Sequence, residues 1–97
     1  MSPIAGRSWY EEDCLCILNE CWKHRGEFQT QKIIGTWTNL SQQRVSELLR
    51  SVEEYGPNDS VLHRTAEKYG FRFKLYKKRG LLIDVVYVGR VAGNLIN

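Results

Sequence analysis

The densest chemistry in this chain of 97 residues is cationic. Seven Lys and Arg residues fall between Arg64 and Arg79, namely Arg64, Lys68, Arg72, Lys74, Lys77, Lys78 and Arg79, with Tyr69, Phe71, Phe73 and Tyr76 set among them. Cations at this density neutralise a polyanion by releasing its counterions, and the interleaved rings offer faces on which bases stack. The same run is also what a solvated face serving only solubility would look like. Residues 1–62 carry six Lys/Arg against nine acids and residues 63–97 carry eight against two, so −3 and +6 make up the net +3. An anionic partner is therefore expected to meet the second half.

Other chemistries are weaker. Cys14, Cys16 and Cys21 are odd in number and crowded into eight residues, a pattern of reduced thiols and not of a disulfide framework. Cys21-x-x-His24 has a zinc spacing, but Cys14 and Cys21 share a helical face with Ile17, Leu18 and Trp22 and read as core, and no second ligand pair follows. A thiol nucleophile would need a histidine and an orienting group that nothing here supplies. Glu11, Glu12 and Asp13 read as acids that complement a helix N-terminus. Asp84, the one acid in the last apolar run, is expected on an exposed strand face opposite a lysine such as Lys74. There is no glycine-rich phosphate loop, HExxH or GxSxG, so no enzyme, cofactor or metal is expected.

The chain has room for one modest core, too small for a barrel or a doubly wound cofactor fold. At 42% hydrophobic and 26% charged it is composed like an ordinary globular domain. It has no apolar run of bilayer length and no secretory leader, so no membrane role and an intracellular location, cytoplasmic or nuclear, are expected. Residues 1–7 read as a flexible segment, 8–89 as one domain and 90–97 as a tail.

The elements follow from periodicity. Ser8-Trp9-Tyr10-Glu11 has the form of a capping box, and Cys14, Ile17, Leu18, Cys21 and Trp22 make one stripe ending at Gly26. Thr30 caps a short second helix carrying Ile33, Ile34 and Trp37, so Trp22 and Trp37 are both expected in the core. Asn39-Leu40-Ser41 turns into a third helix with Val45, Leu48, Leu49 and Val52, stopped by Gly56-Pro57. Asn58-Asp59-Ser60 can cap a fourth, shorter helix that Gly70 ends. From Phe71 the period becomes 2, and two strands are expected on either side of the basic turn Lys77-Lys78-Arg79-Gly80.

Three to four helices followed by a two-stranded antiparallel hairpin is an α+β arrangement that resembles the winged helix-turn-helix family, in element order and in the Thr30–Val52 pattern. A fainter similarity is to Myb-like domains, which also open on a tryptophan followed by acids, as in Trp9-Tyr10-Glu11-Glu12-Asp13. The resemblance implies that the third helix enters a DNA groove and that the hairpin, or wing, grips the backbone. Carried over by position, Gln42, Gln43, Arg44 and Arg50, with Ser46 and Glu47, would face DNA, and Lys77, Lys78 and Arg79 would form the wing tip. Gln pairs with adenine edges and Arg with guanine, so Gln42, Gln43 and Arg44 suit readout. Arg50 has the alternative of pairing with Glu47 and Glu54 on its own helix. The Ser41–Tyr55 segment nets −1, so affinity is expected from the 64–79 cations, with Tyr76 and Tyr87 as stacking rings.

Two functional readings remain. One is a DNA-binding protein, with RNA as the other nucleic acid, that serves as a transcriptional regulator or accessory factor, with a homodimer joined at the Trp9 end of the first helix and the Val91–Ile96 tail as a further option. The other is a protein-interaction module, adaptor or inhibitor, built on the same fold.

Overall fold

In a computed structural model of the protein, residues 9–27, 29–56, 59–77 and 81–89 are described, the side chains of Trp9, Tyr76, Lys77, Leu81 and Leu82 excepted. Four helices, α1 (Trp9–Lys23), α2 (Gln31–Thr38), α3 (Gln42–Tyr55) and α4 (Val61–Tyr69), precede two strands, β1 (Phe71–Lys77) and β2 (Leu81–Tyr87). The chain is thus α+β, four helices and then a two-stranded antiparallel sheet, a layout compatible with a winged helix. No helix among the described residues is long and apolar enough to cross a membrane.

The expected stripes are the core. Cys14, Ile17, Leu18 and Cys21 of α1, Ile34 of α2, Val45, Leu48 and Leu49 of α3, and Leu62 and Ala66 of α4 are buried together with Phe71, Ile83 and Val85 of the sheet. Trp22 and Trp37 pack against this cluster only half-buried. Each later helix opens on a side-chain cap, with Thr30, Ser41 and Ser60 accepting the amides of Ile33, Arg44 and His63. Ser8, expected to cap α1, lies outside the described residues. At the other end of α1, buried Gln29 donates its amide to the carbonyls of Cys21 (3.0 Å) and His24 (3.2 Å), which satisfies acceptors the helix leaves open.

The α2–α3 turn is tight. Asn39 takes the left-handed conformation, and both its own amide and that of Leu40 reach back to the Gly35 carbonyl. A Cβ on Gly35 would stand 2.9 Å from the Leu40 carbonyl oxygen, closer than backbone permits. Glycine inside a helix normally costs about 1 kcal/mol against alanine. Here the order is expected to invert, with Gly35→Ala overpacking the turn and destabilising the fold by roughly 1–3 kcal/mol. A lowered urea midpoint checks this, and a raised one would show that the turn has slack.

The hairpin pairs Phe71 with Tyr87, Phe73 with Val85 and Leu75 with Ile83 on one face, and Arg72 with Val86 and Lys74 with Asp84 on the other. The first face holds the buried residues and the second is exposed, which is the period-2 alternation expected from Phe71 onward. Lys74 and Asp84 stand opposite each other as anticipated. Beneath the sheet, β2 rests on α1 and β1 on α4, while α3 packs on α2 and α4. The fourth helix therefore stands between α3 and β1, and the hairpin does not lie directly along α3.

Candidate nucleic-acid interface

Gln42 and Gln43 occupy the first turn of α3, exposed, just past the Ser41 cap. The turn that presents them is tied together by hydrogen bonds among Gly35, Thr38 and Leu40. The Thr38 hydroxyl donates to the Ile34 carbonyl (2.7 Å) and accepts from the Leu40 amide (3.3 Å).

Arg44 is used differently. Its Nε donates to Asp13 of α1 at 2.9 Å, its Nη1 to Glu47 at 2.8 Å, and its guanidinium lies 4.4 Å from the Tyr10 ring centroid. Burial opposes the charge, but hydrogen bonds to Asp13, Glu47 and Tyr10 outweigh it and hold Arg44 more firmly protonated than usual. Only 15% of the side chain is exposed, so Arg44 serves as a strut between α1 and α3. The alternative raised for Arg50, ion pairs with Glu47 and Glu54, is not what it forms among the described residues: its Nε and Nη2 both donate to the Ser46 hydroxyl (3.2 and 2.9 Å) while Glu47 goes to Arg44.

Of the 64–79 cations, Arg64, Arg72 and Lys74 are exposed on α4 and β1, and their side chains make no hydrogen bond or ion pair among the described residues. Lys68 is exposed too but pairs with Glu11 of α1 at 3.1 Å. Lys77 lies in β1, and Lys78 and Arg79 fall outside the described residues. Arg64 and Lys68 share one face of α4, being four residues apart.

Glu11 and Asp13 are the residues sequence reasoning undervalued. Read as acids suited to a helix start, they also bind the rest of the domain. Glu11 accepts from Tyr69 Oη (2.7 Å) and Lys68, and Asp13 accepts from Arg44. The start of α3 and the end of α4 therefore converge on one turn of α1. Part of the charge asymmetry between the two halves of the chain is cancelled there.

The remaining candidates have structural neighbours. Cys14 and Cys21 are buried, and desolvation, helped by Asp13 and Glu20 respectively, pushes both thiols up to about 12. Cys16 is exposed, as its place on the helix implied, and slight burial with nearby Glu20 also raises its thiol. His24 stacks flat on Trp37, centroids 4.0 Å apart, and faces Glu27 at 3.1 Å rather than turning toward Cys21. Among the described residues no group of three His, Cys, Asp or Glu could hold a metal ion.

His63 lies against Phe73 (4.4 Å) with Nδ1 3.0 Å from the Ser60 hydroxyl, joining α4 to the hairpin. Burial lowers its pKa from the ordinary 6.5. A depressed histidine favours the neutral form in the fold, so its stabilising contribution is present above the unfolded value and lost as pH falls through the folded one. The melting temperature is expected to drop between pH 7 and 5, more steeply in the native protein than in His63→Phe. Parallel slopes would remove His63 as the cause.

Comparison with protein-family models, with curated protein sequences and with solved structures gives no match for this chain.

Proposed function

We propose that the protein is a small winged helix-turn-helix binder of nucleic acid, double-stranded DNA in particular, acting as a transcriptional regulator or accessory factor. One observation carries the reading. The side chains of Gln42, Gln43, Arg64, Arg72 and Lys74 are exposed and make no hydrogen bond or ion pair among the described residues, while Arg44, Arg50 and Lys68 are held by internal partners. Polar and cationic side chains that the fold leaves unused can be spent on a ligand.

In this reading the labour is divided. Arg64, Arg72 and Lys74, with Lys77, Lys78 and Arg79 of the wing, bind phosphates and set affinity. Gln42 and Gln43, held by a capped helix on a tight turn, read base edges and favour adenine. Arg44 keeps α3 at its angle to α1, and a phosphate would have to displace Asp13 to reach it.

A mobility-shift titration with random duplex at low and at moderate salt tests the function. Retardation at micromolar protein that weakens as salt rises is the expected result. Absence of retardation even at low salt overturns it in favour of the protein-interaction reading, and an equal shift with single-stranded RNA would move the ligand from DNA to RNA.

A further inference from the structure

The sheet has two strands, so each has one edge that pairs with no other strand among the described residues, and the two edges differ in chemistry. β1 displays Arg72 and Lys74, and cations on an edge strand repel a second strand of the same kind. β2 ends instead in Val86 and Tyr87, each 46% exposed, followed by Val88 at 44%. These are three of the five large hydrophobic residues that the described surface exposes, so its apolar area is concentrated here. Tyr87 continues the patch onto α1, with its ring 6.5 Å from Trp22, and Arg25 caps Trp22 at 4.1 Å. Aliphatic and aromatic groups with an arginine at the rim have the composition of a protein contact.

We propose that β2 is a dimerisation edge that pairs antiparallel with β2 of a second copy, about a twofold axis at Val86, to close a four-stranded sheet. Charge selects the occupant. A polyanion or acidic segment is drawn to β1, and a basic segment would find on β2 only Asp84, already opposite Lys74. A second copy brings an apolar strand with a single acid, and a twofold contact closes without leaving a sticky end.

Charge also selects the register. An axis at Asp84 would oppose two carboxylates, and one at Val85 would leave them diagonal, about 7 Å apart. With the axis at Val86, Asp84 faces Val88 of the second copy and the two Asp84 positions stand about 14 Å apart. Val86 then meets Val86 on the outer face and Tyr87 meets Val85 on the inner face, so apolar residues stay together.

Sedimentation equilibrium of the full chain, reduced and free of nucleic acid, tests the proposal separately from the function above. The weight-average mass is expected to rise toward twice that of one chain between about 10 and 200 μM. Val86→Lys is expected to weaken dimerisation at least tenfold with an unchanged circular dichroism spectrum. In a Cys16→Ser background, Val86→Cys is expected to give a disulfide dimer and Asp84→Cys none, since a disulfide spans less than about 7 Å between Cα atoms. A single-chain mass throughout, a dimer indifferent to Val86→Lys, or equal cross-linking at the two positions would overturn it.

Discussion

Replacing Arg64, Arg72 and Lys74 together with alanine is expected to weaken binding to random duplex by roughly a hundredfold at about 0.1 M salt, and to reduce the slope of log K against log salt by about 2.7. The size follows from three phosphate contacts, each releasing just under one counterion. All three side chains are exposed and make no hydrogen bond or ion pair among the described residues, so the fold should be indifferent to the change, within about 0.5 kcal/mol per site. Fluorescence anisotropy over a salt series measures the affinity and the slope, and thermal melting checks the fold. Loss of affinity with an unchanged slope would mean that these cations do not touch phosphate. Gln42→Ala with Gln43→Ala should do the reverse, leaving the slope alone and flattening preference among sequences.

The largest stability effect is expected from Leu49→Ala. Leu49 is fully buried in α3, in the core shared by all four helices and the sheet. Emptying such a site costs about 2–5 kcal/mol, a transfer loss plus the cavity left behind. Against a total of about 5–15 kcal/mol that is a large fraction, equivalent to a fall in melting temperature on the order of 10–25 °C. Gln43→Ala, exposed on the same helix, should change stability by less than about 0.5 kcal/mol. A calorimetric scan of both variants distinguishes them, and a drop of only a few degrees for Leu49→Ala would mean that the core closes over the missing atoms.

Much of the fold was legible in the sequence because it follows from local spacing. The 14–17–18–21 and 45–48–49 stripes predicted which residues are buried, and the switch to period 2 at Phe71 predicted both strands and the Lys74–Asp84 pairing. Thr30 and Ser41 were readable as caps, and Ser60 as one of the run Asn58-Asp59-Ser60, because a cap acts on residues two or three positions on. Where the chain's meaning depends on distant neighbours, it was not readable. The Glu47 partner of Arg44 lies three residues away, but Asp13 lies 31 away and turns a candidate base reader into a strut. Gly35 passes for an ordinary helical glycine until the Leu40 carbonyl folds back beside it. Gln29 shows no sign that it closes α1 from outside the helix. Arg50 was closer, since its helix-face neighbours were evident but the hydroxyl of Ser46 was the one that served. Of the expected dimer surface, the Trp9 end of α1 with the Val91–Ile96 tail, the Trp9 side chain and the tail lie outside the described residues; among the described residues an exposed apolar run falls on the last residues of β2 and just beyond it.

These details change how the charges act. A sequence with +6 in its second half suggests one continuous cationic surface, yet Lys68 is neutralised on α1 by Glu11, and Arg44 of the first half is neutralised there by Asp13. The cations left unpaired among the described residues of that half, Arg64, Arg72 and Lys74, lie on the exposed sides of α4 and β1.

The most direct measurement is an amide chemical-shift titration of the labelled protein with a short duplex. The expected result is that the largest changes fall at Gln42 and Gln43 and along Arg64–Lys74, with α1 beyond Cys16 and the buried face of β2 little affected. Changes confined to α1 and β2, or none at duplex concentrations near a millimolar, would contradict a DNA-binding surface at the start of α3.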